Sequence, residues 1–217
     1  MIENPELKLL IENLSDRIAR NAKNPILNKD FNIGVYEIDS ISQEIRICLL
    51  IELYQASITL TNHLLEKALK LILIHAESDS KQIDSFETMN STWLEASKIY
   101  NKMDLNDTIN KVCSKGLIDK EQKKTLHFFR ERIRNGYSHS DMGKLFKDQK
   151  IPLVMGNFSD TTIVHGEAKI ADVPMLQGIA QQTVAKDLAS DYFIIVMNVI
   201  DKNKSILSTT TPTPNNA

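Results

Sequence analysis

The sequence predicts an all-α protein, an up-and-down helical bundle with a small β-hairpin or loop inserted before the last helix. Three observations lead there. Only seven glycines and six prolines interrupt 217 residues rich in Leu, Ile, Lys, Glu and Ala, a composition that favours helices. Apolar residues recur at helical spacing through most of the chain. One stretch, residues 142–175, departs from this, with "IPLVMG" and "TTIVHGEAKIADVP" showing β-branched alternation between Gly, Pro, Asn and Asp, the texture of strands and turns. With 42% hydrophobic and 25% charged residues the composition is that of an ordinary globular chain, long enough for one domain with an insertion.

Residues 1–20 read as an amphipathic helix, with Leu7, Leu10, Ile11, Leu14 and Ile18 on one stripe, followed by a loop, "NAKNPILNKDFNIG". Asp39 or Ser40 is the expected cap of a long apolar helix running to about residue 77, with Glu44 in its early turns and a possible break where β-branched residues cluster at Thr59–Thr61. A helix so apolar on most faces belongs at the centre of a bundle. A polar connection leads to "TWLEASKIYNKM", whose Trp93, Leu94, Ala96 and Tyr100 are expected to pack inward. A short helix then ends at Gly116, a C-terminal cap. Asp119 caps the next, "KEQKKTLHFFRERIRN", in which Leu126, Phe129, Ile133 and Tyr137 form one core-facing stripe. After the insertion a last helix returns Phe193–Ile200 to the core. The expected boundaries are 1–38 for an N-terminal helix and loop, 39–205 for the helical domain, and 206–217 for a low-complexity, disordered tail.

Several function classes lack their signatures. There is no Walker A loop, Gly-x-Gly-x-x-Gly, His-Glu-x-x-His, Gly-x-Ser-x-Gly or Cys-x-x-Cys, so neither a nucleotide-hydrolysing nor a metal-centred enzyme is expected, and no cofactor or metal. Cys48 and Cys113 stand alone and read as ordinary buried thiols of a reducing, cytoplasmic compartment. The first residues show no secretory signal, and no apolar run reaches the roughly 18 residues a membrane span needs. Net charge is −2 overall, yet residues 101–150 hold 12 Lys and Arg against 7 Asp and Glu, a basic region that would focus an anionic ligand.

Chemistry concentrates in "RERIRNGYSHSD", residues 130–141, where an amphipathic helix runs out amid three of the chain's six arginines. "RNGYSH" resembles the motif of HEPN domains, small helical bundles in which Arg, four to six residues and then His lie near the end of a core helix, often with a polar residue directly after the Arg. Arg134, Asn135 and His139 match with four intervening residues, and Arg132 matches with six. The apolar "NHLLEKALKLIL", the "GLID" turn and a closing helix are also similar, so the resemblance spans about residues 40–200. It implies a homodimeric, metal-independent endoribonuclease of a toxin or phage-defence system, with two motifs lining one cleft, Asn135 orienting the pair, and an antitoxin or regulatory protein as a possible partner. A non-catalytic HEPN module binding RNA, a nucleotide or a protein is the alternative. In toxins of the family paired with a nucleotidyltransferase antitoxin, the modified residue is a Tyr two positions beyond the His; here it is Asp141, which argues against that partner.

Histidine titrates near neutral pH and suits removal of a 2′-hydroxyl proton, while a guanidinium forks onto phosphate oxygens without losing its charge. His139 and Arg134 therefore have the chemistry of RNA cleavage, and Arg132, Arg130 and Lys123 are candidate RNA contacts. On a continued α-helix His139 would lie about 140° from Arg134 but within about 20° of Arg132. Gly136 can end the helix, or a second chain can bring the groups together. His127, one turn before Glu131, reads as half of a surface pair, and His63, His75 and His165 as core or surface residues.

Overall fold

The computed structural model describes residues 4–79, 86–134, 146, 148–156 and 163–208. These form an all-α bundle with one small antiparallel hairpin, as expected. Helix α1 spans Pro5–Asn21, α2 Pro25–Asn28, α3 Tyr36–Leu50, α4 Tyr54–Asp79, α5 Phe86–Tyr100, α6 Leu105–Ser114 and α7 Lys120–Phe129, and a π-helical turn covers Arg130–Arg134. Strands β1 (Lys150–Gly156) and β2 (Ile163–Lys169) pair from Lys150 opposite Lys169 to Gly156 opposite Ile163. A 3₁₀ turn at Ile170–Asp172 leads into α8 (Pro174–Lys202) and α9 (Lys204–Ser208).

Helix α4 is the central post, packed against α3, α5, α6 and α8 and reaching the π turn. Its Leu64, Leu65, Leu69, Ile72 and Leu73 are fully buried, burial worth about 1.5–3 kcal/mol for each such side chain. The expected break at Thr59–Thr61 is absent. Thr59 and Thr61 instead donate their hydroxyls to the carbonyls of Gln55 (3.0 Å) and Ser57 (2.7 Å), so the β-branched residues ride on an unbroken helix. The chain breaks earlier, between α3 and α4. There Leu53 N–H bonds Cys48 O (2.8 Å) and Glu52 N–H bonds Leu49 O (3.3 Å), a Schellman closure with Glu52 at φ 62°, in the left-handed position where glycine is usual.

What holds a glutamate there is α1. Arg20 donates to both Glu52 carboxylate oxygens (3.1 and 3.3 Å), Asn21 adds a bond (3.2 Å), and Arg17 lies 3.9 Å away. Arg17 and Asn21 also bind the Ile51 and Leu50 carbonyls. Burial would raise the Glu52 pKa, but these donors outweigh it and leave the carboxyl below its ordinary value. No α1 residue is buried, and Leu7, Leu10, Ile11 and Ile18 are exposed, so polar bonds at one end carry the attachment. Glu52→Ala therefore keeps the backbone strain and loses the anchor, and should cost about 1–2 kcal/mol with faster proteolysis of α1. Glu52→Gly relieves the strain and should cost less in thermal melts, yet free α1 equally.

Other departures from the sequence expectations have local causes. Helix α3 starts at Tyr36 after Val35, with no side-chain cap, so the 38/39 boundary falls inside its first turn and neither Asp39 nor Ser40 is the cap; the Asp39 carboxylate instead accepts from Ile33 N (2.8 Å) and Gly34 N (2.9 Å) of the preceding loop. The expected loop contains α2, capped by Asn24 with Pro25 at its first position. Leu94 is exposed, while Thr92, on the opposite side of the helix, and Ala96 and Tyr100 are buried and half-buried Trp93 sits 4.8 Å from the His75 ring. Leu207 of α9 is buried in the main core, so the helical domain extends past residue 205. Cys48 and Cys113 are half-buried rather than buried, and burial, then Glu44, pushes the Cys48 thiol up. A satellite core of Phe146, Ile170 and Leu176 seats the hairpin on the start of α8. Among the described residues no helix is long and apolar enough to cross a membrane.

Candidate functional site

Helix α7 begins with a complete capping box: the Asp119 carboxylate accepts from Gln122 N (2.8 Å), and the Gln122 side chain accepts from Asp119 N (3.1 Å). Lys202 at the end of α8 reaches both Asp119 (3.1 Å) and Gln122 (3.0 Å). That fixed start sets the phase of everything after it. Leu126, Phe129 and Ile133 are buried, as their spacing predicts, and Phe129 stacks face to face on Tyr192 of α8, 4.4 Å between centroids and 6° apart. Tyr192 in turn donates to the side-chain Oδ1 of Asn62 on α4 (2.7 Å). Three helices thus clamp the inner side of the segment that carries the arginines.

Over Arg130–Arg134 the helix widens into a π turn, a local insertion often found at functional sites. A π turn advances by fewer degrees per residue than an α-helix, so angles extrapolated along a regular helix from Arg132 and Arg134 toward residue 139 do not apply. Arg134 closes the described segment; its side chain, Asn135, Tyr137 and His139 lie outside the described residues. The structure does place the three candidate RNA contacts. Arg130, mostly covered, donates to Glu131 (2.9 Å), and its Nε is buried without a partner among the described residues. The Arg132 guanidinium lies 5.5 Å from the centroid of the Phe128 ring, a cation–π geometry. Lys123 faces a cleft between α6 and α7.

That cleft, of about 580 Å³, gathers groups the sequence reading left apart. Helix α6 contributes Asn106 and Asn110. Helix α7 contributes Lys123, Lys124, His127 and Phe128, with Glu131 at the edge. His127 does not pair with Glu131, which Arg130 holds; its Nε2 instead meets Asn110 Oδ1 at 3.2 Å, and its Nδ1 is buried with no partner among the described residues. Burial first, then the Arg130 and Lys123 charges, lower the His127 pKa, with Glu131 opposing. The ring is therefore neutral near pH 7, Nε2–H donating to Asn110 and Nδ1 bare. Phe128 is 44% exposed, a large aromatic left in solvent among cations. The sequence signal was present: Phe128 falls off the buried stripe, on one ridge with Lys124 and Arg132 at i,i+4 spacing.

Because the folded pKa of His127 lies below its ordinary 6.5, the unfolded chain binds more protons below that pH, and stability present above about pH 6.5 is lost as the pH falls through this window. His127→Gln keeps an amide for Asn110 and removes the titration. Between about pH 7.5 and 5.5 its melting temperature should fall less than that of the parent.

Among the described residues no three His, Cys, Asp or Glu side chains gather in a metal-binding arrangement. Comparison of the chain with protein-family models, curated proteins and solved structures finds no match to any of them.

Proposed function

We propose that the protein is a metal-independent endoribonuclease of HEPN type, acting as a toxin or phage-defence effector. His139 removes the proton from a 2′-hydroxyl, the oxygen attacks the adjacent phosphorus, and the 5′-oxygen leaves, yielding a 2′,3′-cyclic phosphate. Arg134 binds the charge developing on the phosphoryl oxygens, Asn135 orients the pair, and two protomers bring their motifs to one cleft. One observation carries this reading: the Arg end of the motif sits on a π turn whose inner side is clamped by buried Phe129 and Ile133, so core packing fixes the backbone from which Arg134 springs. Rigid support of this kind is what a positioned cation requires.

The test uses purified full-length protein and single-stranded RNA in excess EDTA. Cleavage that leaves 2′,3′-cyclic phosphate ends, spares DNA of the same sequence and disappears in His139→Ala supports the proposal. RNA bound equally by parent and His139→Ala, and cut by neither, would leave a non-catalytic binding module. Equal cleavage of DNA would overturn the mechanism, since DNA lacks the attacking hydroxyl.

A further inference from the structure

The α6–α7 cleft has no part in the chemistry just described, yet its parts are those of a nucleotide site. Cation, aromatic face and amide occur together. Lys123 and Lys124 line it, and neither is ion-paired among the described residues. The acidic edge residue, Glu131, is neutralised by Arg130 at 2.9 Å. Phe128 offers an exposed ring already bearing a guanidinium, and base–aromatic stacking is the main sequence-tolerant contribution in single-strand recognition. Asn110 uses its carbonyl oxygen on His127, which leaves its NH₂ to donate to a base edge, and Asn106 stands one turn before it. An acidic peptide would use the lysines but has no need of a stacking face flanked by two amides.

We propose that this cleft binds one nucleotide of a single-stranded nucleic acid, its base stacked on Phe128 and facing Asn106 and Asn110, its phosphate held by Lys123 and Lys124. Phe128 and Arg134 are six residues apart along one helical segment, at most about 9 Å of axis, the α-helical value, since a π turn rises less per residue. A strand seated in the cleft therefore arrives at the π turn within a few nucleotides, with Arg132 between. The cleft would set which base lies near the cleaved bond. Its assignment to RNA rests on the ribonuclease reading; the binding itself does not.

Binding is measured by fluorescence anisotropy with labelled 12-nucleotide oligo(U), oligo(A) and oligo(dT), in the His139→Ala background so that nothing is cut. Phe128→Ala is expected to weaken binding between about fivefold and 150-fold, the range for loss of one stacked base, and Phe128→Trp to restore it. Lys123→Gln with Lys124→Gln should lower the salt slope by about 0.7, the loss of one phosphate contact on a single strand. Lys124→Glu, at an exposed position, keeps the test valid if Phe128→Ala fails to fold. Affinity within twofold of the parent for Phe128→Ala, Lys124→Glu and the Gln pair alike would overturn the proposal, as would poly-Glu peptide displacing the oligonucleotide at equal charge concentration. Should the parent never cut RNA while these variants lose binding as expected, the cleft stands and the ribonuclease reading falls. His139-dependent cleavage with binding unaffected by the variants is the opposite result.

Discussion

His139→Ala should reduce RNA cleavage by about 10²- to 10⁴-fold, the usual contribution of a positioned general base, while leaving RNA binding within a few-fold of the parent. Arg134→Ala should cost about 10²- to 10³-fold, comparable to removing one preorganised donor at a developing charge. Arg134→Lys should recover little, because an ammonium cannot make two parallel bonds to phosphate. Arg132→Ala separates the two arginines. Its guanidinium is engaged with Phe128 at 5.5 Å, so its loss should weaken binding and flatten the salt dependence with little change in the rate at saturating RNA. The composite site has its own measurement. When Arg134→Ala and His139→Ala chains are mixed in equal amounts, half the dimers are mixed, and if Arg and His of different chains share a site each mixed dimer retains one intact pair, returning about a quarter of parental activity. No recovery would mean that each chain carries its own pair, and a large loss on Arg132→Ala with none on Arg134→Ala would move the cation to residue 132.

The parts of this site legible in the sequence are those decided locally. Asp119, Gln122 and Gly116 act through bonds within a few residues, and Leu126, Phe129 and Ile133 by their period, so the start of α7 and its buried face follow from the residues alone. What could not be read depends on neighbours distant in sequence. A break between α3 and α4 at Glu52 needs the arginines of α1, some 32 residues away, to hold a carboxylate where glycine would be expected. The π turn at Arg130–Arg134 has no counterpart in the spacing, because a regular helix would also bury Phe129 and Ile133, four residues apart, on one face. The amphipathic stripe of α1 was visible, but its exposure reflects the absence of any described element packed over it. The α6–α7 cleft is the clearest case. His127 next to Glu131 invited a pairing along one helix, whereas Asn110, 17 residues earlier, takes the ring because α6 and α7 lie side by side. Phe128 alone gave notice, as an aromatic off the apolar phase among lysines and arginines.

The largest effect on stability should come from Phe129→Ala. The ring is 5% exposed, stacked on Tyr192, and edge-on to Phe128 at 5.5 Å. Truncating a buried phenylalanine typically costs about 3–5 kcal/mol, a large part of the 5–15 kcal/mol that stabilises a domain, so this variant should unfold at markedly lower urea concentration with an unchanged m-value. The neighbouring change is gentler and diagnostic. Tyr192→Phe keeps the stack but leaves the buried Asn62 Oδ1 without its 2.7 Å donor, next to an Asn62 Nδ2 that already has no partner among the described residues; an orphaned polar group of this kind costs about 1–3 kcal/mol. Phe129→Ala and Tyr192→Ala together should cost less than the sum of the two, by about 0.5–1.5 kcal/mol for the stacked pair, and additivity would show that the rings do not support one another. Because Phe129 directly precedes the π turn, its loss should also release the backbone at Arg130–Arg134. Amide exchange there should then accelerate by more than in α3, and RNA cleavage should fall even at temperatures where the domain stays folded. If cleavage instead tracks only the folded fraction, the clamp formed by α4, α7 and α8 stabilises the bundle without positioning the arginines, and the link between core packing and the site is broken.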